Sequence, residues 1–387
     1  LIKKIRGKQK MNKNLKSKIF TIVAAMSICT TLILGFTACS SKTTSQTNSS
    51  AAEEKKTTQE IVDMAGRKVT IPSQIKKVYS TSPIGTTFMY TLAPEKIVGV
   101  NYKLSEGEKK FTNASYNKLP VLGGNFGQGQ TINKEELLKV KPDIILNMGD
   151  LTKTTVAESD KIQTDLGIPV IYVTGDLDKL DKAYEFMGKI TGDASKAKEL
   201  GDYCKKTYDE IKGIAAKIPE DKKIKVYYAE GPKGLQTDPK GSSHTQLLDF
   251  VGAANIADLE VKQGYGRNEM SIEQLIKWNP ETILVCFEQS FVSASQNPYK
   301  LITSDSSWSH IKAVQNKKVY VIPYLPYNWF DRPPSVMRIL GAKWLGNLLY
   351  PDNYKYDMKA ETKEFYDKFF HVKITDQQYE EIIANAK

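Results

Sequence analysis

At 387 residues the chain has room for about two domains, and its 40% hydrophobic and 26% charged content is that of a globular protein, not a disordered or fibrous one. The formal charge of +11 is unevenly spread: Lys3, Lys4, Arg6, Lys8, Lys10, Lys13, Lys16 and Lys18 precede residue 39 with no acid among them, and without these eight the remainder carries about +3. That balance excludes the electrostatic footprint of a nucleic-acid binder, and no nucleic acid is expected as a partner.

The basic leader runs into an apolar stretch at 19–36, IFTIVAAMSICTTLILGF. A charged segment ahead of such a run reads as a secretory signal, although a run of about eighteen residues also just spans a bilayer. The next block, Phe36-Thr37-Ala38-Cys39, decides between them. It resembles the lipobox of bacterial lipoproteins, with Phe36 in place of the more usual leucine. The resemblance implies a signal peptide at 1–38, with Met11 as the true start, cleavage before Cys39, a diacylglyceryl group on the Cys39 sulfur, and attachment to the outer face of a membrane. Residues 40–59 are polar and small and read as a flexible tether. Of the four cysteines, Cys29 leaves with the signal and Cys39 carries the lipid; Cys204 and Cys286 read as buried thiols, with a disulfide between them left open.

From residue 60 strands and helices alternate. Strands are expected at 77–81, 97–100, 120–122, 143–147 and 169–173, with helices between them, the rhythm of a mainly parallel sheet covered by helices. They make a first lobe at 60–175. Residues 177–218 carry one long helical pattern through Leu180, Tyr184, Met187, Ile190, Ala197, Leu200 and Ile211, with Gly192 as a kink or a break. The segment 176–219 is therefore expected as a stiff connecting helix. A second lobe at 220–387 opens with IKVYYAEG, continues through strands near 282–287 and 318–322, and closes with helices at 332–349, 360–370 and 376–386.

Two stretches tie the lobes together. Residues 132–146 read INKEELLKVKPDIIL and residues 270–284 read MSIEQLIKWNPETIL, 138 positions apart. Each starts at a helix-capping residue, Asn133 or Ser271, runs through one short amphipathic helix, is stopped by proline and enters an apolar strand. The pair argues for an α/β fold of two similar Rossmann-like lobes, their mainly parallel sheets joined by one long rigid helix, with a ligand cleft between the lobes. The chain also carries VDMAGRKVTIPSQIKKVYSTSP at 62–83 and IVGVN at 97–101. These resemble the opening of the periplasmic-binding-protein family that serves importers of iron-siderophores, haem, cobalamin and related metal complexes, and the resemblance covers nearly all of 60–387. It implies a lipid-anchored receptor on the extracytoplasmic face of the membrane, working with an ABC permease and ATPase, with little hinge motion. It also implies that one exposed glutamate per lobe meets arginines of the permease pair; Glu135 and Glu273, with Glu136 as an alternate, match that role. They are equally ordinary first-turn acids of a helix.

In such an architecture the ligand sits against loops at the carboxyl ends of parallel strands. In the first lobe these loops carry Ser82, Thr86, Asn125 and Phe126 among glycines. In the second they carry Tyr228, His244, Arg267 and the run Tyr324, Tyr327, Trp329 and Arg332. Rings beside an arginine suit a planar anionic ligand, although the same run serves equally as a plug for the lobe. His244, paired with Tyr327 or Tyr324, is a candidate metal ligand; a loop histidine is also commonly structural. A ferric siderophore is the expected ligand. Haem, with Met89 and His244 as axial ligands, cobalamin, a nickel or cobalt chelate, and an oxyanion such as molybdate remain alternatives. No cofactor is expected, and no enzyme is: there is no Gly-x-Ser-x-Gly elbow, no Walker loop and no His-Glu-x-x-His. A two-lobe metalloenzyme would need clustered Cys or His ligands, and Cys204 and Cys286 are too few.

Overall fold

The first lobe is built on a sheet with apolar residues on both faces. In the computed structural model, which describes residues 57–127, 130–261, 267–286, 297–384 and 386, an antiparallel hairpin of β1 (Thr58–Val62) and β2 (Lys68–Pro72) precedes the sheet. The signal, Cys39, most of the tether and the glycines at 264 and 266 lie outside the described residues. Asp63 explains the DMAGR motif. Its buried carboxylate accepts from the backbone N–H of Ala65, Arg67 and Tyr172 and pairs with the Arg67 guanidinium at 2.9 Å, so one acid closes the turn and locks it to the sheet.

Strands β3 (Val78–Ser80), β4 (Ile144–Gly149) and β5 (Val170–Thr174) are parallel, in the order β3-β4-β5. Along β4, Ile144, Leu146 and Met148 enter one apolar cluster and Ile145 enters another, the period of two expected of a strand covered on both sides. Helices α1 (Pro83–Leu92), α2 (Glu106–Lys109), α3 (Lys134–Val140) and α4 (Lys153–Leu166) connect them. The strands expected at 97–100 and 120–122 are reduced to single bridges, Val78 to Ile97 and Val100 to Val121, because these segments touch the sheet only in passing.

Of the kink or break expected at Gly192, the structure has the break. Helix α5 (Leu180–Thr191) ends at Gly192, which holds the left-handed φ of +82° of a helix cap, and α6 (Ala194–Ala215) turns back along it. At Gly188 an added Cβ would stand 2.3 Å from that of Ala197, so small residues set the close approach of the hairpin. Only α6 makes the connection. At 22 residues it is about 33 Å long.

The second lobe carries β6 (Lys225–Ala229), β7 (Gln236–Thr237), α7 (Gln246–Phe250), β8 (Ala254–Asn255), β9 (Asn268–Glu269), α8 (Ile272–Trp278), β10 (Thr282–Val285), α9 (Pro298–Ser304), α10 (Lys312–Gln315) and β11 (Val319–Val321). Its sheet is parallel in the order β11-β10-β6-β8. Helix α11 (Met337–Leu349) is buried on nearly every side, and it starts five residues later than expected, after Arg332 at φ 58° and the two prolines that follow. Helices α12 (Met358–Phe370) and α13 (Asp376–Ile382) then reach back to the first lobe: Tyr90 donates to the Phe370 carbonyl and Lys110 pairs with Glu381 at 2.6 Å. One apolar cluster accordingly takes in Leu146 and Ile171 from the first sheet, Tyr228 and Leu284 from the second, and α6, α11 and α12 between them.

Candidate functional site

The carboxyl ends of the parallel strands of each lobe carry a polar cluster, as expected for ligand loops. In the first lobe Ser82 follows β3 and Thr86 lies in the first turn of α1; the Thr86 hydroxyl donates to Asn101 Oδ1 at 2.6 Å. The Asn101 amide donates to the carbonyls of Ser80 and Gly123, both at 2.9 Å. Asn125 is held by its N–H on the Thr81 carbonyl and by its side-chain amide on Glu158, at 2.7 and 2.9 Å. Gly124 is required there: a Cβ would lie 2.4 Å from the Thr81 carbonyl oxygen. Phe126 is half-buried and tilted towards Tyr102, ring centroids 6.5 Å apart.

In the second lobe three buried acids back three cations. Glu230, directly after β6, is fully buried, and its Oε1 accepts from Arg332 Nε at 2.6 Å and pairs with Arg267 Nε at 2.9 Å, while its Oε2 has no hydrogen-bond partner among the described residues. Arg332 Nη2 reaches Asp238 at 2.5 Å. His244 sits on the short turn Ser243–Thr245, capped by the Ser242 hydroxyl, and its Nδ1 lies 2.9 Å from both oxygens of buried Asp331. The carboxylate can only accept, so Nδ1 carries the proton and Nε2 is the nitrogen turned elsewhere. The side chains of Arg332, Arg267 and His244 keep 14, 20 and 17% exposure, so this cationic face reaches solvent while its counter-charges do not.

Burial shapes the protonation of these groups. Desolvation pushes Glu230 up to about 8 despite the two guanidinium groups beside it. Burial also opposes protonation of His244, but the charge and hydrogen bond of Asp331 outweigh it and its pKa rises. Asp331, whose burial is likewise outweighed by His244 and Arg332, is held below the usual carboxylate range. Asp238, His244 and Asp331 offer ligand atoms within 4.8 Å of one another, the reach of a metal site. Arg332 already sits on Asp238, with its Nε 3.6 Å from Asp331, and a divalent cation there would have to displace a guanidinium.

At the junction of the lobes Pro83, Thr86, Asn101, Tyr102, Tyr116 and Tyr327 line a cavity of about 10 Å³, room for one water molecule. The Tyr116 and Tyr327 hydroxyls meet there at 3.0 Å.

The structure thus brings His244, Arg267 and Arg332 into one cluster and Thr86 and Tyr327 to one cavity. Of the expected metal-ligand pair, His244 contacts Asp331 and Tyr327 contacts Tyr116. Tyr228 and Trp329 are fully buried, Tyr327 is 4% exposed, and Met89 is packed in the apolar core; of the aromatic run only Tyr324 is half-buried. Sequence reasoning passed over Glu230, Asp238 and Asp331. The available signal was an acid standing at the carboxyl end of an apolar strand, as in YYAEG.

Comparison with known proteins agrees with this architecture. The family profile described as periplasmic binding protein matches residues 85–324. The molybdate-binding protein MolA of Haemophilus influenzae is 28% identical over 335 residues, covering 80% of this chain and 90% of that protein. The high-affinity heme uptake system protein IsdE of Staphylococcus aureus is 25% identical over 214 residues, 55% of this chain and 69% of that protein. Among solved structures, an ABC transporter solute binding protein from Sulfurospirillum deleyianum superposes with a TM-score of 0.77 at 32% identity, covering 84% of this chain and 99% of that one. With two α/β lobes, ligand loops at strand ends and this match over most of its folded length, the chain belongs to the periplasmic binding protein family, the non-enzymatic substrate-binding components of ABC importers.

Proposed function

We propose that this protein captures a metal oxyanion of the molybdate type and delivers it to an ABC permease. The observation that carries the reading is the cationic face of Arg332, Arg267 and His244, positioned by buried Glu230, Asp238 and Asp331. Guanidinium forks and an imidazolium suit oxygen ligands of a compact anion. The likeness to a molybdate-binding protein over most of both chains supports the same ligand class.

A ferric siderophore is the second reading, favoured by the half-buried rings of Tyr102 and Phe126 in the first lobe and Tyr324 in the second. The expected stacking surface is otherwise spent inside the lobe, since Trp329 and Tyr228 are core residues. Haem ligation through Met89 has no support from its position, 1% exposed in the core.

The test is a titration of the protein from residue 57 onward, followed by tryptophan fluorescence and calorimetry, against molybdate, tungstate, sulfate, ferric catecholates and hydroxamates, haem, cobalamin and nickel–histidine. Saturable molybdate binding that is weakened in Arg267→Gln is expected. Saturation by a ferric chelate alone would replace the oxyanion with the second reading.

The Phe36-Thr37-Ala38-Cys39 block supports membrane attachment through a lipid on Cys39. Cys39→Ser should leave the protein unprocessed or released, and normal retention in the membrane fraction would refute the anchor.

A further inference from the structure

We propose that Arg338, a buried guanidinium in the first turn of α11, sets the charge selectivity of the ligand site, favouring doubly charged over singly charged anions of the same shape. The proposal rests on the oxyanion reading above and deepens it: Arg338 acts through its field, without touching the ligand.

Arg338 is 5% exposed, and its hydrogen bonds end on neutral oxygens. Its Nη2 donates to the Gly175 carbonyl at 2.8 Å, its Nη1 to Gln246 Oε1 at 3.3 Å and its Nε to the Ser335 carbonyl at 3.4 Å. Among the described residues it forms no ion pair. Burial lowers its pKa against the opposing pull of Asp331, Asp150 and Asp176, but a guanidinium stays protonated in a protein. The helix adds to the mismatch. Arg338 is the second residue of α11, whose first turn holds no acid, so the positive end of the helix dipole meets a positive side chain. Buried charges are ordinarily paired. Here desolvation, the lack of a carboxylate and the dipole all oppose the cation, and an anion nearby would relieve each of them.

The guanidinium joins the strand-end loops of the two lobes. Gly175 directly follows β5, and its N–H donates at 2.9 Å to the carbonyl of Gly149, the last residue of β4. That contact therefore lies at the carboxyl ends of the first sheet. On the other side Gln246 opens α7, immediately after the short turn that carries His244. Arg338 differs from the cations of the site in having its charge uncancelled. Arg332 sits on Glu230 and Asp238, Arg267 on Glu230 and His244 on Asp331, so a carboxylate offsets each of those fields before a ligand arrives. Coulomb energy is proportional to the charge of the ligand and is screened less in a protein interior than in water. A dianion therefore gains twice as much from Arg338 as a monoanion does. Contact geometry cannot supply that difference between anions of one shape.

The test compares molybdate with perrhenate, tetrahedral oxyanions of nearly the same size, the first doubly and the second singly charged. Dissociation constants are measured by calorimetry at neutral pH on the full chain in mild detergent, perrhenate by competition with molybdate. Arg338→Gln should weaken molybdate roughly a hundredfold and perrhenate roughly tenfold, so that the preference for molybdate falls about tenfold. Arg338→Lys, which keeps the charge, should keep the preference. Arg338→Gln should also fold normally by circular dichroism, because it removes a buried charge that has no counter-ion. Equal weakening of both anions would overturn the proposal, since a merely structural contact acts on both alike. So would an unchanged preference, or a glutamine variant that fails to fold, which would assign the charge to the fold. If wild type binds neither anion, the oxyanion reading falls and the role of Arg338 falls with it. If wild type binds molybdate and the variant's preference is unmoved, the reading stands and only the charge role is lost.

Discussion

The Tyr116 hydroxyl of the first lobe stands 3.0 Å from the Tyr327 hydroxyl of the second, both nearly inaccessible to solvent. Burial raises both phenols well above their ordinary pKa, so they meet as neutral groups, one donating and one accepting. Tyr327→Phe should therefore cost about 1–3 kcal/mol by leaving Tyr116 without its partner, and the double phenylalanine variant should cost less than the sum. Urea unfolding of the four-protein cycle measures the coupling. Oxyanion binding should survive Tyr327→Phe, whereas a metal held by a Tyr327 phenolate would be lost.

If an oxyanion binds at Arg267 and Arg332 as proposed, Glu230 should make that binding depend on pH. Its pKa near 8 is set by burial, against the pull of Arg332 and Arg267. An oxyanion at those guanidinium groups competes with the ionised carboxylate and so prefers it protonated. Molybdate affinity should rise as pH falls through about 8, and the raised pKa of His244 adds positive charge in the same direction. Glu230→Gln should flatten the slope between pH 7 and 9 in calorimetric titrations. The same group affects stability. Its folded pKa lies above that of an ordinary glutamate, so its stabilising contribution is full below the ordinary value and is lost as pH rises through about 8.

Arg332 compensates two buried acids, Glu230 and Asp238. Arg332→Gln should lower stability by about 3–5 kcal/mol above about pH 8, where Glu230 is ionised, because uncompensated charges then remain in the lobe. Adding Glu230→Gln should restore part of that loss in urea unfolding. A fully additive double variant would contradict the coupling.

Two glycines predict opposite outcomes. At Gly341 in α11 an added Cβ would stand 1.8 Å from the Trp329 carbonyl oxygen, and that backbone is fixed by the loop before the helix. Gly341→Ala should cost about 3 kcal/mol or more, or displace α11. At Gly213, inside α6, nothing lies within 4 Å, and Gly213→Ala should stabilise by about 0.5–1 kcal/mol. Thermal unfolding of the two variants checks both.

The helix-Pro-strand units were legible because caps, apolar spacing and proline stops act within a dozen residues. Asn133 and Ser271 form the expected caps, and β4 and β10 follow as apolar parallel strands. The break at Gly192 was legible only as a choice between kink and break. The turn back was decided by close packing of Gly188 on Ala197.

By itself the sequence determined the α/β class, two matched lobes and loops at strand ends, because each of these is written in local periodicity. Only the tertiary structure decided which side chains meet in those loops. Arg332 and Glu230 are 102 positions apart, and His244 and Asp331 are 87 apart. Whether a tyrosine or tryptophan offers its face to a ligand or fills the core is likewise decided by packing, since the same ring serves both. The fold placed Tyr228 and Trp329 inside, and left the charged face of Arg267, Arg332 and His244 at the surface because three buried carboxylates hold it there.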